Sequence, residues 1–187
     1  MSLIDDLLDD AREHMDKSVE ATRGKFGSIR TGRASTALLD RINVDYYGAQ
    51  TPLKQLATIN VPEPRMLTIQ PFDPTSIKAI EKALLESDLG LTPSNDGKIV
   101  RLPIPQLTEE RRKELVKVVK HLAEEGRVAV RNVRRDVMHD LKELVKNGDV
   151  GDDEERRAED RVQKLTDEHV AKIEDLLKRK EAEIMEV

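Results

Sequence analysis

Three long stretches of this chain carry apolar or small residues at every third or fourth position, and a segment of different composition separates the first from the second. The three stretches begin near Ile4, Leu115 and Ala158. A repeat of this spacing places the side chains on one face of an α-helix. Because a helix with one apolar face is stable only when that face is buried, the sequence predicts three long helices that pack together as a bundle.

The residues of each predicted stripe follow the helical repeat closely. The first stripe consists of Ile4, Leu8, Ala11, Met15, Val19, Thr22, Phe26 and Ile29. The second consists of Leu115, Val119, Leu122, Gly126, Ala129, Val133, Val137, Leu141 and Leu144. The third consists of Ala158, Val162, Leu165, His169, Ile173, Leu176, Lys180 and Ile184. Thr108 is the predicted N-cap of the second helix, which at 1.5 Å per residue would be roughly 58 Å long and would need long partners.

The intervening segment, residues 31–105, has the composition of a small mixed domain. Six of the eight prolines lie between Thr51 and Pro93, and alternating apolar residues predict short strands near 42–46, 58–61, 66–70 and 99–102. Asp73 followed by Pro74 predicts the start of a helix. The predicted fold class is therefore α+β with two domains: a discontinuous three-helix bundle, residues 1–30 and 106–187, and an inserted β/α/β domain, residues 31–105.

The chain crosses between the predicted domains twice, and both crossings contain residues that interrupt regular structure. Glycine and proline at such places predict a bendable junction. We name these segments the two crossings; they consist of Arg30, Thr31, Gly32, Arg33 and Ala34 on one side and Leu102, Pro103, Ile104, Pro105 and Gln106 on the other.

Basic charge is concentrated in the second predicted helix, although the whole chain has a net charge of -5. Residues 111–135 contain nine basic and three acidic side chains. Several basic residues stand two positions before a stripe residue, about 200° around the helix, which predicts an exposed cationic face opposite the core. Such a face either keeps a bundle soluble or binds phosphate, and planar guanidinium groups favour phosphate. The candidate phosphate-binding residues are Arg131, Arg134, Arg135, Arg127, Lys117, Lys120, Arg111 and Arg112.

The sequence contains little that predicts catalysis. It has no cysteine, and we find no phosphate-binding glycine loop, dinucleotide fingerprint, nucleophile elbow or zinc-protease motif. The four histidines lack the spacing of metal ligands, and His169 falls on an apolar stripe, which is typical of a core residue. We therefore expect no enzymatic activity, no metal and no cofactor. Tyr46 and Tyr47 either cover the small sheet from a strand end or form a contact surface.

Composition also restricts where in the cell the protein is expected and how it could recognise RNA. No apolar run approaches the roughly 20 residues that cross a bilayer, and acidic residues stand where a signal peptide is basic. We expect a cytoplasmic protein without a membrane partner. With only four aromatic residues in the chain, recognition by stacking of RNA bases on aromatic rings is disfavoured.

Five blocks of the sequence, in this order, resemble those of the bacterial ribosome recycling factors. They are residues 30–35 (RTGRAS), 46–48 (YYG), 87–91 (SDLGL), 105–115 (PQLTEERRKEL) and 127–136 (RVAVRNVRRD). The resemblance covers essentially the whole chain. It implies a three-helix bundle joined by a two-stranded hinge to a small β/α/β domain, an L whose outline is similar to that of transfer RNA.

The resemblance also implies a function. A protein of this family binds the post-termination ribosome and, together with elongation factor G and GTP, separates the subunits so that messenger RNA and transfer RNA leave. The implied partners are the large ribosomal subunit with its ribosomal RNA, approached by Arg131, Arg134 and Arg135, and elongation factor G, which hydrolyses the GTP. The crossings correspond to the family hinge. A monomer is expected, and no DNA partner.

Two other classes of function remain open at this point. A helical adaptor would use part of the apolar stripes to hold another protein, and it would dimerise or capture a protein without RNA. An enzyme with an unrecognised carboxylate site would turn over a small molecule. A monomer that sediments with ribosomes favours the recycling function over both.

Overall fold

The computed structural model describes residues 2–186 and divides into two compact units. One unit comprises the residues up to 26 together with those from 116 onward, and the other comprises residues 27–115. The helices are α1 (Leu3–Gly27), α2 (Leu53–Leu56), α3 (Ile77–Glu86), α4 (Glu109–Lys146) and α5 (Asp152–Met185). The strands are β1 (Asn43–Tyr46), β2 (Ala49–Pro52), β3 (Ala57–Glu63), β4 (Met66–Pro71), β5 (Ser94–Asn95) and β6 (Val100–Pro103). The predicted α+β fold class is confirmed.

The first unit is a helical bundle whose core follows the predicted stripes with small shifts. The first stripe is buried from Ile4 to Phe26, whereas Ile29 lies beyond the end of α1. In the second half of α5, Leu177 is buried, whereas Leu176 of the predicted stripe is only partly buried. Among residues 2–186, no helix has an apolar stretch long enough to cross a membrane.

Hydrogen bonds of nearby residues define both ends of α4, and the start is the one that the sequence predicts. The Thr108 hydroxyl accepts the backbone N–H of Arg111 at 3.1 Å, which makes Thr108 the N-cap. At the other end Gly148 has φ 79°, and the N–H groups of Gly148 and Asp149 return to the carbonyls of Val145 and Leu144. These two hydrogen bonds form a Schellman motif, in which the residue after the helix adopts the left-handed conformation. Glycine adopts this conformation without strain because it has no Cβ.

The second unit contains two sheets and a helix. Strands β1 and β2 form a two-stranded antiparallel hairpin, and the other strands form an antiparallel sheet in the order β3-β4-β6-β5. Ile77, Ile80 and Leu84 of α3 are buried in one core with residues of both sheets, including Val44 and Leu67. Strands β1, β3, β4 and β6 lie where the alternating pattern predicts them, with boundaries shifted by up to two residues, whereas β2 and β5 were not predicted.

Each of the two crossings is hydrogen-bonded to the same turn of the second unit. The N–H of Ala34 donates to the carbonyl of Pro64 at 2.7 Å, and the N–H of Ile104 donates to the carbonyl of Arg65 at 2.8 Å. Gly32 has φ 81°, a conformation that residues with a Cβ adopt only under strain. The inner ends of both crossings are therefore fastened to the turn between β3 and β4.

The turn before β6 contains Asp96, whose lowered pKa makes the stability of the protein depend on pH. The backbone N–H groups of Ile99 and Lys98 donate to Asp96 Oδ1, and Arg101 donates to Oδ2, which together lower the pKa of Asp96 from 3.8 to about 2. The free energy of unfolding that this lowered pKa contributes is fully present above pH 3.8 and is lost as the pH falls toward 2.

We expect Asp96→Asn to remove this part of the acid dependence. In urea titrations at successive pH values, the difference in stability between wild type and Asp96→Asn should shrink as the pH falls from about 4 toward 2. Asp88→Asn, which removes an exposed carboxylate without a hydrogen bond within residues 2–186, should show no such convergence. A constant difference for Asp96→Asn over that pH range would contradict the assignment.

Candidate functional site

The basic residues of α4 that belong to the bundle unit lie on one flank of the helix. Successive residues are about 100° apart around the axis, so six of them fall within a sector of about 100°. We call this surface the basic flank; its members are Lys117, Lys120, Arg127, Arg131, Arg134 and Arg135. Within α4, which lies entirely inside the described residues, the sector of these six side chains contains one carboxylate between Lys117 and Arg135, that of Glu124.

The basic flank borders the core, and the prediction that it lies opposite the core is wrong. Ala123 and Val130 are 0% exposed, whereas Leu122 and Ala129 of the predicted stripe are only partly buried. Because most of the stripe is unchanged, exchanging Leu122 and Ala129 for Ala123 and Val130 turns the centre of the core by only about 30° toward the basic residues. Arg127 then lies only about 60° around the helix from Val130.

Arg127 is consequently a bridge between helices and is not exposed as predicted. Its side chain is only 16% exposed, and its Nη1 lies 2.5 Å from Glu174 Oε1 of α5. Its Nε and Nη2 donate to Glu124 Oε2 at 2.8 and 2.7 Å. Burial alone would lower the pKa of Arg127, but the hydrogen bonds and charges of the two carboxylates outweigh burial and raise it.

The other members of the basic flank are free to meet a partner to different degrees. Lys117, Lys120 and Arg135 are exposed, and Arg131 is 56% exposed with one loose contact, 3.7 Å from Glu124 Oε1. Arg134 is partly buried, and within residues 2–186 its buried Nε has no hydrogen-bond partner. Within residues 2–186, Lys117, Lys120 and Arg135 thus form no ion pair, and Arg131 forms only the loose one with Glu124.

Arg111 and Arg112 do not join the basic flank. Both belong to the second unit, and Arg111 pairs with Glu114 one turn along the same helix at 2.9 Å. Arg112 is partly buried, and its buried Nε has no hydrogen-bond partner in the described part of the chain.

The side of α4 that faces α1 carries the opposite charge. Glu125 lies 3.4 Å from Lys25 of α1 and 3.2 Å from His121. By the same rotation, Glu114 and Asp136 lie on this side. The surface of α4 therefore carries carboxylates on the side toward α1 and the basic flank on the side toward α5.

His169 is a core residue, as predicted. It is 1% exposed, with Nε2 2.6 Å from Asp16 Oδ1 and Nδ1 2.7 Å from the carbonyl oxygen of Leu165. Within residues 2–186, no three histidine or carboxylate side chains are grouped as a metal site would require. The contact between His169 and Asp16 joins α5 to α1.

The interpretation that the two tyrosines cover the small sheet is wrong for Tyr47. Its side chain is 82% exposed at the tip of the β1-β2 hairpin, where its φ of 51° and that of 82° at Gly48 make the turn. Tyr46 is partly buried, and its hydroxyl donates to Asp73 Oδ2 at 2.9 Å.

The two carboxylates that hold Arg127 were missed by reasoning from the sequence alone. Glu124 stands three positions before Arg127, a spacing that permits a pair on one helix and could have been noticed. Glu174 lies 47 residues from Arg127 in the sequence, and no local pattern predicts a pairing over that distance.

A family model described as "Ribosome recycling factor" matches residues 22–185 of this chain. The ribosome-recycling factor of Rubrobacter xylanophilus is 58% identical over 180 residues, covering 96% of this chain and 97% of that protein. The ribosome-recycling factor of Bacillus subtilis is 59% identical over 182 residues, covering 97% and 98%. These two relatives therefore match nearly the whole chain, including the segments of both folded units.

Solved structures agree with the sequence relatives. A solution structure of the ribosome recycling factor superimposes with a TM-score of 0.82 at 44% identity, and both chains are covered completely. A second structure, of the T. thermophilus ribosome recycling factor with E. coli elongation factor G on the E. coli post-termination complex, superimposes with a TM-score of 0.70 at 49% identity and the same coverage. From its sequence, its two folded units and these relatives, the chain belongs to the ribosome recycling factor family.

Proposed function

We propose that this protein recycles ribosomes after translation termination. It binds the post-termination ribosome in the cytoplasm and, together with elongation factor G and GTP, promotes separation of the subunits and release of messenger RNA and transfer RNA. The observation that carries this proposal is family membership over nearly the whole chain, together with a structural relative bound to a post-termination complex with elongation factor G. The chain acts by binding, and GTP is hydrolysed by the partner.

The bundle unit binds ribosomal RNA of the large subunit through the basic flank. Arg131, Arg134 and Arg135 are the principal contacts, because a guanidinium group donates two parallel hydrogen bonds to phosphate oxygens and because the one carboxylate near Arg131, that of Glu124, is held only loosely at 3.7 Å. Lys117 and Lys120 add charge along the same sector. Arg127 serves the flank indirectly, by holding α4 against α5 through Glu174.

The two crossings act as a hinge between an anchored bundle and a second unit that elongation factor G moves. This part of the proposal is supported by residues that break regular structure, Gly32 with its positive φ and the prolines Pro103 and Pro105. It is also supported by the hydrogen bonds that fasten Ala34 and Ile104 to the turn at Pro64 and Arg65. Bending at the outer ends of the crossings breaks none of these bonds.

The test is an assay of subunit splitting on purified post-termination ribosomes. Wild-type protein should split ribosomes only when elongation factor G and GTP are both present, and failure to do so would refute the proposed function. The hinge is tested by replacing Gly32 of the first crossing and Leu107, the residue that follows the second crossing, with cysteine. A Cβ at residue 32 would lie 3.5 Å from Leu107 Cγ. Because the natural chain contains no cysteine, these are the only thiols.

The disulfide form should bind ribosomes about as well as the reduced form of the same variant but should lose most of its splitting activity. The reduced form is the matched control, since both forms have the same sequence and the same strain at residue 32. Equal splitting by the oxidised and reduced forms would show that motion at the crossings is not needed.

A further inference from the structure

Glu124 is an acidic residue placed inside a basic surface. Rotation along α4 puts it between Arg131 on one side and Lys117 and Arg135 on the other, each about 20° away. Its Oε2 accepts two hydrogen bonds from Arg127, at 2.8 and 2.7 Å, and its Oε1 points toward Arg131 Nη1 at 3.7 Å. The hydrogen bonds of Arg127 lower the pKa of Glu124, so its charge persists.

A carboxylate in this position resembles the phosphate that the flank is built to bind. Guanidinium groups donate paired hydrogen bonds to carboxylate and phosphate oxygens in the same forked geometry. Arg131 is 56% exposed and Glu124 is 51% exposed, and ion pairs between exposed side chains are weak because solvent screens both charges. Arg131 therefore leaves Glu124 easily when a phosphate arrives, whereas Arg127, held by two carboxylates and 16% exposed, does not.

The charge of Glu124 remains on the flank after Arg131 has left it. A nucleic acid that binds without a fixed register places phosphates anywhere along α4, including beside this carboxylate, where the two negative charges repel each other. A partner that docks in one register places phosphates beside the arginines and a phosphate-free position beside Glu124. This repulsion therefore weakens the binding of a nucleic acid without a fixed register more than it weakens the binding of a partner that docks in one register.

We propose that Glu124 is a specificity-determining residue of the basic flank, one that suppresses unregistered binding to RNA while leaving docking on the ribosome nearly unchanged. This inference rests on the proposed function, in which the flank binds ribosomal RNA. It adds that the flank is tuned against other cellular RNA by one carboxylate and not only by the net charge of -5.

The test compares Glu124→Gln with Glu125→Gln, two neighbouring substitutions with the same change in net charge. The Glu125 carboxylate faces Lys25 and His121, away from the flank. With a short RNA duplex of arbitrary sequence at low salt, Glu124→Gln should bind about three- to fivefold more tightly than wild type, and the gain should disappear at high salt. Its affinity for ribosomes should change by less than about twofold.

Glu124→Asp withdraws the carboxylate from Arg131 by one methylene group and should show an intermediate gain in duplex binding. Thermal melting of each variant confirms that α4 remains folded, as expected while Glu174 still holds Arg127. An equal gain for Glu125→Gln would show an effect of net charge alone and overturn the inference. Unchanged duplex binding by Glu124→Gln and Glu124→Asp, or an equal gain on ribosomes and duplex, would overturn it as well.

The proposed function can fail separately from this inference. If the basic flank does not bind ribosomal RNA, removal of Arg131, Arg134 and Arg135 leaves ribosome binding unchanged. If the flank binds but Glu124 does not discriminate, that removal weakens binding while the Glu124 variants behave like wild type.

Discussion

Replacing Arg131, Arg134 and Arg135 together by glutamate is expected to weaken binding to ribosomes on the order of a hundredfold or more. Three phosphate contacts are lost and three negative charges are placed beside the phosphates. The dependence of the logarithm of the binding constant on the logarithm of salt concentration should flatten by roughly one unit for each lost contact. The measurement is equilibrium binding to ribosomes at several salt concentrations, with subunit splitting recorded in parallel.

The matched control changes the same total charge on another surface of the same bundle. Arg157, Lys164 and Arg179 of α5 are exposed and form no ion pair within residues 2–186. Their combined replacement by glutamate should weaken binding far less, by no more than about tenfold, because only the long-range field changes. Equal losses for the two triple variants, or unchanged affinity and salt slope for the first, would remove the basic flank from the interface.

Replacing Gly126 by valine is expected to lower the free energy of unfolding by about 2–3 kcal/mol. A Cβ at this position would lie 2.3 Å from Thr22 Oγ1 of α1 and 3.2 Å from Ile173 Cδ1 of α5. The three helices of the bundle therefore meet at a point with no room for a side chain, and the larger residue forces the helices apart. Urea denaturation followed by circular dichroism measures the loss.

Gly24→Val is the control for the difference in helix propensity between glycine and valine. Gly24 lies on the exposed side of α1, so Gly24→Val should be neutral or slightly stabilising, since valine is the better helix former. Combining Gly126→Val with Thr22→Ala removes the nearest obstacle and should recover about 1 kcal/mol relative to the sum of the two single effects. Strict additivity would show that contact with Thr22 is not the cause.

These two predictions concern neighbouring parts of one helix. Gly126 sets how closely α4 approaches α1 and α5, and Arg127, the next residue, ties α4 to α5 through Glu174. Loosening the helices at residue 126 should therefore also disturb the basic flank. We expect Gly126→Val to reduce ribosome binding less than the triple arginine variant does, because the charges themselves remain.

The sequence predicted the elements of the fold well because their signals are local. A repeat of three and four residues specifies a helix wherever it occurs, and Thr108 and Gly148 specify the ends of α4 through hydrogen bonds within a few residues. Four of the six strands, β1, β3, β4 and β6, follow from the alternation of apolar and polar residues, whereas the short strands β2 and β5 carry no such pattern. Family membership, predicted from five ordered blocks, is confirmed by the comparisons.

The sequence by itself determined which segments are helices, which helix carries the basic residues, and to which family the chain belongs. Only the tertiary structure decided how far α4 is rotated about its axis in the bundle, and with it that Ala123 and Val130 replace Leu122 and Ala129 in the core. That rotation made Arg127 a buried bridge to Glu174 and left Arg131 exposed beside Glu124. A periodic pattern is compatible with several nearby rotations, and the choice among them depends on the shapes of α1 and α5, whose contacts lie far away in the sequence.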